Sequence, residues 1–336
     1  MEVGIFRFTA VTEDFVVNQI TLQNGETAED AVATAVSISY ENEDGETVTQ
    51  SSTLNGGAAG AGDGMVTFDG MEMFVPADGT SDVMVTIDTN AVSSSGADSG
   101  NDVQLTLDAD TVEYTGLSSQ ETTTDAGTDR TADDFVLRKT QPTLSLASGS
   151  PEGADSPGPG EVFRFNIAAD SHGYVTVDEL TFRMDSTDNN GESDPDWNQC
   201  DASPALTAAD FSFYNYDDLG TALDVDGDWT FLDSSGTSCG ADEVLTYIVM
   251  DLTTSFEVAA GATETYSLYV NTTGAASGSD GDVVSFTIPL DTDVASLGGA
   301  TDPDGAIIWD DDTQGSDIDG TYVENLPVEP EGSITY

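Results

Sequence analysis

The sequence predicts an all-β protein made of two tandem antiparallel β-sandwich domains. Three observations lead there. Apolar residues alternate with polar ones nearly throughout, the period-two signature of strands. Gly, Asp, Ser and Thr fill the gaps between the alternating runs, where turns need them. The second half of the chain also repeats the order of the first, and 336 residues leave room for two domains with a core each.

Taken in order, Ile5, Phe6 and Phe8 mark a first strand and FVVNQITL (15–22) a second. VSISY (36–40) runs through the turn ENEDGE into TVTQ. Residues 65–68 give another strand, VMVTI (83–87) follows the turn PADGT, and VQLTL (103–107) follows a Ser/Gly/Asp loop. Residues 112–114 add one more. TAEDAVATAV (27–36) is the best candidate for one or two helical turns.

The second half restates this order. IFRF (5–8) matches VFRF (162–165), an offset of 157 from Phe6 to Phe163. Residues 17–22 match 177–182, Ser37-Ile38 matches Ser212-Phe213, and 105–107 match 286–288. Residues 75–87 match 258–270, with AAGAT in place of PADGT. The offset grows along the chain, which places insertions in the second half. The largest, at 185–206, holds Cys200, and another, at 224–242, holds Cys239. One cysteine in each inserted loop favours a Cys200–Cys239 disulfide over two free thiols in an extracellular setting. The segment SGSPEGADSPGPG (148–160) is the boundary loop. LSLA, just before it, is too apolar to leave in water and is assigned to the second domain. The expected division is 1–140, 141–326 and a tail at 327–336.

The chain carries 64 Asp and Glu against 6 Lys and Arg, a net charge of −58. Such a field repels nucleic acid and anionic membrane surfaces, because phosphate contacts need cations. It fits cation binding or adaptation to high salt, where screening relieves the self-repulsion. No leader or membrane span is evident, so an exported protein would be present here in mature or trimmed form.

The connector RKTQPTLSLASGSP, the F-R-F opening strand and the Val-led turns VPADGT and VAAGAT resemble prokaryotic surface proteins built from tandem immunoglobulin-like repeats. The resemblance covers nearly the whole chain. It implies Ig-like sandwiches and an extracellular or cell-surface architectural role, with no enzyme activity. The chain's ends also resemble subunits of extracellular filaments joined by donor-strand complementation.

The filament reading has its own argument. FVLRKTQPTLSLA (135–147) has a second version in YVENLPVEPEGSITY (322–336), with Leu144 and Leu146 set against Ile334 and Tyr336. The second domain receives its first strand, around residues 142–147, from the connector. The first domain has no such segment before Met1, which leaves an unpaired edge at Ile5, Phe6 and Phe8. Insertion of Pro330, Ser333, Ile334, Thr335 and Tyr336 from a neighbour would close it head to tail and give a homopolymer. Alternatives are a flexible tail, a tail folded back onto its own domain, or a section of an S-layer or adhesin repeat array. A calcium- or carbohydrate-binding module is the reading from another class.

Specific chemistry is sparse. Asp224, Asp226 and Asp228 have the alternate spacing of a calcium loop, though Gly227 is misplaced for an EF-hand. Asp302 and Asp304 belong to a second acidic cluster with 310–312, and Asp185, Asp188, Asp194 and Asp196 form a third. Ca2+ is thus a candidate ligand, no cofactor is required, and a hydrated acidic surface is the plainer reading of each cluster. His172 reads as a turn residue. The glycine-rich run at 55–64 lacks the lysine and helix of a phosphate loop. Trp197, Trp229 and Trp309 read as packing residues, and Asn271-Thr272-Thr273 is the one clear glycosylation sequon. Arg7 and Arg164, each between two phenylalanines, are expected to meet carboxylates from equivalent positions. Arg138 and Lys139 are expected to clamp the connector to acidic loops. On this reading a chain ending at Val328 fails to form the filaments that the full chain forms in the electron microscope.

Overall fold

The fold is that of a computed structural model. It describes residues 1–24, 33–54, 64–92, 99–187, 198, 206–223, 228–240, 243–275, 281–297, 305–311 and 323–336. The protein is all-β, and it divides into two compact units, Met1–Arg138 and Lys139–Tyr336.

Unit one contains β1 (Glu2–Thr9), β2 (Phe15–Asn24), β3 (Ala33–Glu41), β4 (Thr47–Ser52), β5 (Met65–Phe68), β6 (Met73–Val75), β7 (Thr80–Thr89), β8 (Asp102–Val103), β9 (Leu105–Leu107), β10 (Glu113–Gly116), β11 (Thr122–Thr124), β12 (Arg130–Thr131) and β13 (Phe135–Val136). One sheet runs β1-β7-β3-β4 and the other β11-β10-β2-β9-β12, with β5 and β6 also on β2 and a small β13-β8 pair beside it. The inward side chains of both sheets, among them Phe6, Val83 and Ile38 from one and Val17, Ile20 and Leu22 from the other, form one core. Alternation sets which residues face in: in β3 every second side chain from Val36 to Tyr40 is buried. Residues 33–36, expected as the end of a helical turn, open β3 instead, where Val36 and Ile38 pair across to Ile87 and Val85. The β-branched residues and the available partner strand win over a weak helical pattern. The remainder of that stretch, 27–32, lies outside the described residues.

Unit two contains β14 (Pro142–Leu146), β15 (Gly153–Ala154), β16 (Pro159–Ala169), β17 (Val175–Thr187), β18 (Phe211–Asn215), β19 (Asp228–Leu232), β20 (Tyr247–Val258), β21 (Thr263–Asn271), β22 (Val283–Thr287), α1 (Asp291–Val294), β23 (Ile307–Asp310) and β24 (Ile334–Thr335). Its sheets run β14-β16-β21-β18 and β15-β24-β22-β17-β20-β19, with β23 on β17. The core is aromatic: Phe165 lies 5.4 Å from Phe163 and 6.0 Å from Phe213, and Tyr266 stacks on Phe213 at 5.6 Å.

The internal repeat holds, but two of its registers differ from those expected. Phe6 pairs with Val83 on β7. Val83 corresponds to Tyr266 on β21, and Tyr266 pairs with Phe165. Phe6 is therefore the counterpart of Phe165, an offset of 159 rather than 157. The same β-bulge confirms it, falling between Glu2 and Gly4 in one unit and between Glu161 and Phe163 in the other. Arg7 then corresponds to Asn166, so Arg7 and Arg164 do not hold equivalent positions. The turn match at PADGT and AAGAT is sound, since Asp78 (φ 52) and Gly261 (φ 71) both take the left-handed conformation at the same step.

The second difference concerns the tail. Ile334 and Thr335 pair with Val284 and Val283 on β22. In unit one the equivalent strand β8 pairs with Phe135 and Val136. The tail is thus the counterpart of β13, not of β14, and residues 327–336 belong to unit two. Gly153 and Ala154 cover the other side of β24, so a stretch expected as loop supplies a strand. Ile334 is 2% and Tyr336 6% exposed, both within their own core. Burial of two large apolar side chains holds the tail in place far more firmly than a free terminus.

These contacts predict that ending the chain at Val328 unfolds unit two rather than yielding a competent monomer. Ile334→Ala alone should lower its stability by about 2–5 kcal/mol, read by denaturant titration. A tail removable with no loss of stability would contradict the placement of β24.

Candidate functional site

The site follows from comparing one edge in the two units. In unit two, β16 is flanked on its outer side by β14, with Leu144 opposite Ile167 and Leu146 opposite Phe165. Leu144, Phe165 and Ile167 are fully buried. The segment after β14 continues to β15, which covers β24, so residues 142–154 close one side of both sheets. Backbone bonds fasten it at both ends: the Ala147 N–H donates to the Arg164 carbonyl (3.2 Å) and the Gly153 N–H to the Ser333 carbonyl (2.9 Å).

In unit one the counterparts of β16 and β24 are β1 and β13. Among the described residues β1 pairs only with β7 and β13 only with β8, so both outer edges lack the strand that unit two has. Phe8, the counterpart of fully buried Ile167, is only half-buried, and Ile5 and Val11 are exposed. Two grooves lie along β1. One, of about 380 Å³, is lined by Phe8, Phe15, Val17, Leu107 and Tyr114 together with Arg7, Arg130 and Asp125. The other, of about 410 Å³, lies between residues 2–5 and Asp133, Asp134 and Phe135, that is, between β1 and β13. Part of the polarity comes from one substitution between the units. Val328, which bridges to Ile288 and is buried in unit two, has Arg130 opposite Leu107 as its counterpart.

The groove is held by its neighbours. Phe15 and Tyr114 meet edge to face at 5.3 Å. The Glu13 carboxylate accepts the Ser118 and Ser119 N–H groups, both at 2.9 Å, and ties the turn after β1 to the turn after β10. Those backbone bonds hold the Glu13 carboxyl below the usual range. Across β1 and β7 the Arg7 guanidinium forks onto Asp82, with both bonds at 2.8 Å, and hydrogen bonding to Arg7 holds the Asp82 carboxyl low. Arg164 pairs with Glu161 and stands over the Tyr216 ring at 4.0 Å.

Of the residues expected at an interface, Ile5, Phe6 and Phe8 do lie on the open edge of unit one. Pro330, Ser333, Ile334, Thr335 and Tyr336 lie at or near β24, and Ile334 and Tyr336 are inside unit two. Asp224, Asp226, Asp302 and Asp304 lie outside the described residues, and Asp228 opens β19 opposite Asp251. Asp185 pairs with Arg183 at 2.8 Å, and Asp188, Asp194 and Asp196 are outside the described residues. Cys239 is in a disulfide, and Cys200, the only other cysteine in the sequence, lies outside the described residues. His172 is exposed beside Asp170, with Nδ1 and Oδ1 2.5 Å apart. Trp309 is fully buried and Trp229 packs on Phe211 at 5.4 Å; Trp197 is outside the described residues. The Asn271 amide of the sequon donates to Asp210 at 3.1 Å. The Lys139 N–H donates to Asp311, its ammonium lies 5.4 Å over Tyr174, and the Arg138 guanidinium lies against Gly100. Sequence reasoning missed β15, Arg130 and the edge of β13; the first two sit in stretches that read as linker and loop.

No protein-family model matches this chain, and no curated protein matches it. A solved structure that it is similar to is described as "Putative membrane anchored protein from Corynebacterium diphtheriae", with 10% identity, 84% of this chain and 81% of that chain covered, and a TM-score of 0.19. That likeness is too slight to transfer a fold or a role. Among the described residues no helix is long and apolar enough to cross a membrane.

The Glu13 clamp gives a pH prediction. A carboxylate held low in the folded state contributes stability above its unfolded value, about 4.3, and that contribution is lost as pH falls through the lower folded value. Glu13→Gln should therefore flatten the acid limb of unit one's melting curve below about pH 4.3 and leave Tm at pH 7 lower than in the parent. An unchanged acid limb would show that the clamp contributes nothing.

Proposed function

We propose that this chain is a structural component of an extracellular or cell-surface assembly, built from β-sandwich units that are closed by strands from their neighbours. It acts by binding its own kind and not by catalysis. The observation that carries this is the pairing of a closed edge with an open one: residues 142–154 seal unit two, and among the described residues the same two strand edges of unit one have no such partner. An unpartnered edge of an apolar sandwich is a template for strand addition. The repeat is in register down to the bulge and the turn, so the two edges have the same geometry. Joining units head to tail through such an edge gives an open series rather than a closed ring.

The tail of this chain is not the favoured donor, because extracting Ile334 and Tyr336 would open unit two. A donor of the connector type, reaching from one sandwich into the next, repeats an arrangement that the chain already contains. This favours an array of sandwiches over a polymer threaded by residues 330–336. The strongly acidic surface fits a salt-rich exterior, where screening within about 3 Å at 1 M ionic strength removes most repulsion between units.

Sedimentation velocity in molar salt, with electron microscopy of the same samples, tests the assembly. A chain extended past Tyr336 by a second copy of residues 139–154, which supplies a free donor of the connector type, is expected to associate with concentration, and Phe8→Glu on the open edge should abolish it. An extended chain that stays monomeric at every concentration, or that associates equally well with Phe8→Glu, would overturn self-assembly through this edge.

A further inference from the structure

The open edge of unit one also specifies what it accepts. We infer that it binds, antiparallel to β1, a single extended strand whose alternate residues are apolar and whose central outward residue is acidic. This deepens the assembly reading, on which it rests. The occupant is a strand of β14 type contributed by another sandwich unit.

The register comes from unit two. There Pro142 lies opposite Ala169, Leu144 opposite Ile167 and Leu146 opposite Phe165. The counterparts are Ala10, just past the end of β1, and Phe8 and Phe6 within it. An incoming strand therefore sets its first apolar residue beside Phe8 and its second beside Phe6, two residues further on. Phe8 is the side chain that this would bury, and the groove beside it gives room for the first of the two. β-branched or leucine side chains suit that spacing, because successive residues on a strand face opposite ways.

The outward position differs between the two units, and this sets specificity. In unit two Ser145 lies opposite Asn166, whose amide donates to the Ser145 hydroxyl at 3.3 Å. In unit one the residue in the place of Asn166 is Arg7. A side chain inserted opposite it meets a guanidinium that is exposed and engaged on its other side by Asp82. An acid there adds an opposite-charge cross-strand pair, the favourable arrangement on a sheet face. Arg130 in the groove lining adds a second positive group, with Asp125 the one acid in that lining. Two of the six cations in a chain of net charge −58 thus gather where the incoming strand would lie.

A synthetic peptide of residues 141–149, QPTLSLASG, added to the full chain is the probe. Hydrogen exchange should show new protection at residues 4–9 of β1. Replacing the peptide's Leu144 by Ser should weaken binding at least about tenfold, the cost of losing one buried leucine. Ser145→Glu in the peptide should tighten binding, whereas Thr143→Glu, opposite Thr9, should not. Phe8→Glu in the protein should remove binding, and Phe8→Ala should weaken it if the charged variant fails to fold. Equal binding of the Leu144→Ser peptide would overturn the inference, as would protection confined to β16, which means displacement of the chain's own β14. No protection at β1 at millimolar peptide would also overturn it. If the peptide fails while the extended chain still associates in sedimentation, the assembly reading survives without this register. If the peptide binds and the extended chain never associates, the strand chemistry stands and self-assembly falls.

Discussion

Every sheet in this protein is governed by the same constraint: a strand has two sides, and each carries backbone groups that need partners. Helices satisfy their backbone internally, but a sandwich always ends in edges. Unit two meets the constraint with residues 142–154, which run along one sheet and then the other. The apolar face follows from this solution. Leu144 is buried because β14 is paired, and β14 is held because Leu144 and Leu146 sit over the aromatic core. Unit one has the same bulge and the same turn, but among the described residues no strand pairs on the outer side of its β1, and the difference shows in Phe8.

The fold class was legible because alternation is a strong signal over many short runs. The internal repeat was legible in most strands, where Val17, Ile38 and Val75 found their true counterparts. It failed by two residues at β1, and the reason is physical. Side chains alternate with a period of two, so a slip of two leaves every residue on its proper face. The repeated F-R-F motif invited that slip, and the pairing with β7 and β21, together with a bulge that the sequence does not announce, fixes the register. The tail failed for a related reason. Alternating termini look alike, and Ile334 and Tyr336 resemble Leu144 and Leu146 in pattern while occupying the other sheet. The connector's role in closing unit two was legible from sequence. Its counterpart β15 was hidden in a Gly- and Pro-rich stretch with no apolar alternation to mark it.

Charge acts on a separate level. Most of the 64 acidic residues have no cation to meet, since there are only 6. Three arginines are committed to carboxylates on their own unit: Arg7 to Asp82, Arg164 to Glu161 and Arg183 to Asp185. The Arg7 and Arg183 pairs are exposed, and pairs of that kind add little stability. Their value is positional, because in a surface of one sign a single guanidinium stands out. The core, not the surface, holds the fold together, and the surface determines the solution in which the fold persists.

The connector has a mechanical consequence. Tension arriving along the backbone from unit one passes Arg138 and reaches β14 before any other strand of unit two. β14 cannot move without breaking its ladder to β16 and dragging Leu144 from a sealed core. Residues 142–146 thus work as a latch on the pulled end of the sandwich, and a chain of such units would resist stretching one latch at a time.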